Sequence, residues 1–201
     1  TARFRDGRGY GVSVVGRSSG AGEAARKGAV ALVIRSISTN SDRFPHTGVM
    51  RYIDGVKQIP AAAVSNPDAD QLERMLARGQ TIKLRLDIDA ETRGEALSYN
   101  VIGDIRGSEK PEEVVVIGGH LDSWDLGTGA LDDGAGVAIT MAAGATLLKL
   151  EQRPKRTVRV IAWGNEEQGL LGSRAYAAAH AKDMGKHLIG AESDFGAGRI
   201  Y

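Results

Sequence analysis

The apolar positions of this chain fall into short unbroken runs and longer interrupted stretches. Val12–Val15, Ala29–Ile34, Ala61–Val64, Val114–Ile117, Thr157–Trp163 and Leu188–Ala191 are compact enough to be buried strands, and Ser98–Ile105 is read as another. Thr81–Ile88 alternates Ile82, Leu84, Leu86 and Ile88 with Lys83, Arg85 and Asp87, the pattern of a half-buried strand. Helices are predicted around Ala21–Lys27, over Asn66–Arg78, from about Gly136 to Leu150, and near Leu171–Ala181. For the second of these, Asn66 is the expected cap, Pro67 and Asp68 suit the first turn, and Gly79 is the expected stop.

Strands alternating with helices predict an α/β fold, a mostly parallel sheet with flanking helices. Ser36–Lys57 is polar and turn-rich and is expected to form an exposed loop. The polar stretch Ala90–Glu95 marks the expected boundary between a small α/β domain, residues 1–95, and a second domain, residues 96–201.

At 201 residues and 42% apolar content the chain can bury a core, and it has no run of the roughly 18–20 apolar residues that a membrane span needs. A net charge of +1, with Arg and Lys scattered, gives no general attraction to nucleic acid or anionic membrane. The absence of cysteine excludes disulfides and thiolate metal sites, so any metal must use imidazole and carboxylate. The chain opens on Thr1 without a leader, and is expected to be processed or an internal piece.

Four acidic and histidine clusters carry the candidate chemistry: Gly118-Gly119-His120-Leu121-Asp122-Ser123, Gly129-Ala130-Leu131-Asp132-Asp133-Gly134, Asn165-Glu166-Glu167-Gln168-Gly169 and Glu192-Ser193-Asp194. Three of them follow apolar runs. Parallel strands place their carboxyl ends along one rim, where ligands bind. His120, Asp132, Glu166, Glu167 and Asp194 are therefore expected to converge there. A hydrolytic two-metal site needs a bridging carboxylate, further ligands on each ion and a base for water. In His120-Leu121-Asp122 the two polar side chains share a side of extended chain, so that Asp122 can support the imidazole. Bound cations would offset repulsion between Glu166 and Glu167.

Taken singly, each cluster has a plainer explanation. His-x-Asp after a strand is commonly a surface pair, Asp-Asp-Gly a turn and helix start, Glu-Glu a solvated first turn, and Asp194 a loop residue or cap. Their shared order, strand-end placement and glycine context favour a single site.

Gly119-His120-Leu121-Asp122-Ser123, Ala130-Leu131-Asp132-Asp133-Gly134, Glu166-Glu167-Gln168-Gly169 and Glu192-Ser193-Asp194 resemble the co-catalytic zinc aminopeptidase and glutamate carboxypeptidase family. The fuller wording of Gly118–Val137, with Trp124-Asp125-Leu126-Gly127, is most similar to its carboxypeptidase Q-like (plasma glutamate carboxypeptidase) branch. Pro45-His46-Thr47-Gly48 and Ile59-Pro60-Ala61 resemble the protease-associated insert of that branch. The resemblance implies a partial zinc peptidase domain over 96–201 and a protease-associated-like domain over 1–95, with no chemistry of its own. It implies a metal-dependent exopeptidase hydrolysing small peptides or dipeptides with water activated by two zinc ions.

Carried over, the family's roles make His120 and Asp194 ligands of one zinc, Asp132 the bridge and Glu167 a ligand of the other. Glu166 becomes the general base, and Asp122 the group orienting His120. A cis peptide between Asp132 and Asp133 is also implied. The family's last ligand, a later histidine, has no counterpart here, because His180 and His187 precede Asp194. This 201-residue piece is accordingly expected to hold at most one zinc firmly and to be inactive alone. A secreted or periplasmic setting, and a homodimer of the intact enzyme, belong to the same resemblance, with no nucleic-acid or membrane partner.

Two other functions compete. Residues 1–95 could act only as a binding module. Gly20-Ala21-Gly22-Glu23-Ala24-Ala25, after the expected strand Val12–Val15, also matches a dinucleotide-binding fingerprint. Arg35 and Ser36 stand where a ribose-binding acid belongs. His46 is expected to be a loop residue, not a ligand.

Overall fold

The computed structural model describes residues 8–194 and 196, apart from 47, 92 and 126. The chain divides into two compact units at Arg93 and Gly94.

The first unit contains α1 (Arg8–Ser18), α2 (Gly20–Arg26), β1 (Leu32–Arg35), β2 (Ala61–Val64) and α3 (Asn66–Ala77). β1 and β2 pair in parallel, from Leu32 opposite Ala61 to Arg35 opposite Val64. Ala21 and Ile59 are buried. The cap of α3 is Ser65, whose side chain accepts the Asp68 amide, and Asn66 is the first helical residue. Ser65 keeps an extended backbone, and its short hydroxyl reaches the third amide of the first turn. Asn66 instead donates its side-chain amide to the Ser38 and Asn40 carbonyls, both at 3.0 Å. Arg78 caps the far end, and Gly79 follows with φ +74°. This left-handed position is one glycine takes freely.

Two expected strands are absent. Val12–Val15 lies inside α1, with Val12 and Val15 exposed. A four-residue apolar run fits helix and strand equally well, and here the chain continues helical through Ser18. The glycine motif starting at Gly20 therefore follows a helix rather than a strand, which removes the context a nucleotide site requires. Thr81–Ile88 forms no described strand. Ile82 and Leu86 are half-buried, whereas Leu84 and Ile88 are exposed. Alternation defines a face, but a strand also needs a partner ladder, and the first unit's described sheet contains only β1 and β2.

The second unit contains β3 (Val101–Ile105), β4 (Lys110–His120), α4 (Gly134–Leu148), β5 (Arg156–Trp163), α5 (Leu171–Ala179) and β6 (His187–Glu192). Their order is β3-β5-β4-β6. β4 is parallel to both β5 and β6, and β3 is an antiparallel edge beside β5. Val114, Val116, Ile161, Trp163 and Tyr176 form the buried apolar cluster. At its margin Arg159 donates to both Asp104 carboxylate oxygens at 2.7 Å and to the Tyr176 hydroxyl at 2.8 Å. These charge-assisted bonds hold the Asp104 carboxyl below its usual range. Central β4 is buried along its last three residues, which brings His120 to the rim with little solvent around it. Among the described residues no helix is long and apolar enough to cross a membrane.

Candidate metal centre at the strand ends

β4 and β5 end side by side, with His120 opposite Trp163. The Leu121 amide donates to the Trp163 carbonyl at 2.8 Å, and the Ser193 amide to the Gly118 carbonyl at 2.9 Å, so the three parallel strands leave the sheet together. Glu166 and Glu167 follow β5, Asp194 follows β6, and Asp132 approaches from the loop before α4.

The His120 side chain is 1% exposed. Its Nδ1 faces the Asp122 carbonyl at 2.9 Å. Its Nε2 lies 3.1 Å from Asp132 Oδ1, 3.4 Å from Asp194 Oδ1 and 4.0 Å from Glu166 Oε2. Both ring nitrogens thus face oxygen acceptors, although a neutral imidazole carries a single N–H. The second position calls for a positive charge, either a proton or a cation. Without a cation, burial pulls the His120 pKa down. The Asp122 carbonyl and the Asp194, Glu166 and Asp133 charges outweigh that effect and leave it raised.

His120, Asp132 and Asp194 offer ligand atoms that all lie within 4.8 Å of one another. Two carboxylates and an imidazole suit zinc, and three protein ligands match the number in sites that keep a position open. Burial raises the pKa of Asp194, and Asp132 raises it further. Burial is also the main cause for Glu166, opposed by His120 and reinforced by Asp194, Asp122 and Asp132. Glu167 is raised by burial and by Asp132, against a hydrogen bond from Trp124. Glu192 is raised by burial, with Asp194 and Glu166 adding to it. Such a concentration of mutually repelling carboxylates is what a bound cation would relieve. The residues fit a metal.

Asp122 departs from its expected contact. Its carboxylate is 3.8 Å from His120 Nδ1, too far for a hydrogen bond, and the Asp122 main-chain carbonyl accepts from Nδ1 instead. The Asp122 carboxylate accepts the amides of Glu166 at 2.8 Å and Glu167 at 3.0 Å. The peptide between Asp132 and Asp133 is cis.

Asp133, given no role by the sequence, is fully buried. It accepts the His120 amide at 2.9 Å and the Gly136 amide at 3.1 Å, as the cap of α4. An aspartate three residues ahead of Gly136 at a helix start was the available signal. Gly136 is required by close approach: a Cβ there would lie 1.7 Å from the Ser193 carbonyl oxygen.

This sheet and this cluster define an α/β protein with a metal-type site at its strand ends. Over residues 100–194 the chain matches the family model of Peptidase family M28. It is 44% identical to carboxypeptidase Q of Mus musculus over 188 residues, 94% of this chain and 40% of the relative. The crystal structure of a peptidase M28 precursor from Shewanella amazonensis SB2B superimposes with a TM-score of 0.96 at 57% identity, over 100% of this chain and 46% of that one. An aminopeptidase from Aneurinibacillus sp. strain AM-1 matches with a TM-score of 0.52 at 27% identity, over 84% of this chain and 40% of that one. The chain thus spans about two fifths of the length of the curated relatives it matches.

Proposed function

We propose that the intact protein is a metal-dependent exopeptidase acting on small peptides, including dipeptides. The observation that carries this reading is His120 Nε2 directed at Asp132 and Asp194, with Glu166 4.0 Å away, on the rim where the parallel strands end. In this reading His120, Asp132 and Asp194 hold one zinc, and Asp132 and Glu167 contribute to a second. Zinc supplies Lewis acidity toward the scissile carbonyl and toward water.

Glu166 is the general base. It takes a proton from water as the oxygen attacks the carbonyl carbon, then gives that proton to the amine as the C–N bond breaks. Its side chain is 21% exposed, and burial with neighbouring carboxylates raises its pKa toward the range such a shuttle uses. Asp132, 69% exposed, leaves the site open to substrate. Residues 1–95 serve as a protease-associated-like domain without chemistry of their own. A secreted or periplasmic enzyme, working as a homodimer, accords with the branch the motifs resemble.

In the intact enzyme, Glu166→Gln should lose about 10²–10⁴-fold in turnover while binding zinc as the parent does. A near-normal rate would show that another group is the base.

A further inference from the structure

Asp122 stands at the exits of two strands at once. Its main chain orients His120, since the carbonyl accepts from Nδ1 at 2.9 Å, and no side-chain substitution at this position removes that contact. Its carboxylate does something else. Glu166 N–H donates to Oδ1 at 2.8 Å, and Glu167 N–H donates to Oδ2 at 3.0 Å. Asn165, with φ 56°, turns the backbone into the left-handed region just before these two amides. Successive amides in such a turn form a concavity suited to an anion, and the Asp122 carboxylate fills it. Behind them the amides of Gly169 and Leu170 close on the Glu166 carbonyl at 2.8 and 2.7 Å. The Glu166 backbone is therefore bonded at both its amide and its carbonyl, and the Glu167 backbone at its amide.

We propose that the Asp122 carboxylate is the positioning residue of Glu166 and Glu167. By accepting both amides it fixes the general base and the neighbouring ligand relative to His120, whose Nδ1 is held by the Asp122 main-chain carbonyl. The proposal rests on the general-base reading of Glu166. Bonds from amide donors to an ionised acceptor are about twice as strong as neutral ones, so one carboxylate can hold a turn whose two side chains repel each other.

The test uses the zinc-loaded intact enzyme. Asp122→Ala should lower kcat about 10²-fold, with KM and the affinity of the zinc held by His120 and Asp194 nearly unchanged, while the zinc that Glu167 helps to hold binds more weakly. Asp122→Asn keeps one acceptor and should fall between the two, and it carries the test if the alanine variant fails to fold. On a Glu166→Gln background, Asp122→Ala should lower the residual rate by less than about threefold, because both changes act on one step. An affinity reduced about tenfold or more for the zinc held by His120 and Asp194, in either Asp122 variant, would overturn the proposal and return the carboxylate to His120. So would a full, independent loss on the Glu166→Gln background. A near-normal rate for Glu166→Gln alone overturns the general-base reading instead, while the zinc isotherms of the Asp122 variants still decide whether the carboxylate acts through His120.

Discussion

The Asp133 carboxylate accepts the His120 amide at 2.9 Å and so ties the end of β4 to the start of α4. Because Asp133 follows Asp132 directly, the same residue sets the spacing between the imidazole and the most exposed carboxylate of the group. Asp133→Ala would leave two buried amides without their acceptor. A loss of about 3–5 kcal/mol is expected, from two bonds to a charged acceptor and a missing cap. Urea unfolding measures it, and a loss below about 1 kcal/mol, the cost of an ordinary substitution, would show that the amides find other partners.

Zinc should raise the melting temperature of the protein. At a free concentration one hundred times Kd the gain is about 2.7 kcal/mol. His120→Ala and Asp194→Ala should each abolish the zinc-dependent part, while exposed Glu151→Ala should retain it. Scanning calorimetry with and without chelator gives the comparison. Full stabilisation of the His120 variant would place the metal elsewhere.

Gly136 and Gly103 offer a matched pair of backbone tests. A methyl group at Gly136 would strike the Ser193 carbonyl, whereas one at Gly103 meets nothing within 4 Å. Gly136→Ala should therefore destabilise by more than about 2 kcal/mol, in the range of overpacked cores, and Gly103→Ala should stay within about 0.5 kcal/mol. Equal effects in denaturant titrations would contradict the close approach of α4 to the end of β6.

Without metal, stability should decline as pH rises. His120 has a raised pKa, so the stability its proton confers is fully present below the unfolded histidine value and is lost as pH passes through the folded one. Glu166, Glu167, Asp194 and Glu192 are also raised, so ionising them in the folded state costs stability. That cost grows from the ordinary carboxylate pKa, about 4, up to their folded values. Both contributions have the same sign. Zinc should reverse the trend, because binding displaces the proton and strengthens with pH. Melting curves from pH 4 to 8 in chelator and in zinc test this. A metal-free protein that becomes steadily more stable over that interval would refute it.

Much of the second unit was readable from apolar runs and helical spacing. The strands at Val114, Val158 and Leu188 and the helices after Gly134 and Leu171 follow local patterns, and each is long enough or sufficiently flanked by breakers to be distinctive. In the first unit the same reading misplaced Val12–Val15 and Thr81–Ile88. The first run was too short to separate helix from strand. The second had the right face but no neighbouring ladder in the described sheet.

The sequence by itself determined which side chains stand at the strand ends, because strand length, apolar runs and glycine positions are local properties of the chain. His120, Glu166 and Asp194 each follow an apolar run in the chain itself. Only the tertiary structure decided which acceptor meets which donor. Asp122 was expected to use its carboxylate on the nearby His120, yet it binds amides 44 and 45 residues away. Asp133, beside the expected bridging residue Asp132, holds the His120 backbone across 13 positions. A short side chain commits to a partner by distance and angle, and those are fixed only when β4, β5 and α4 have packed.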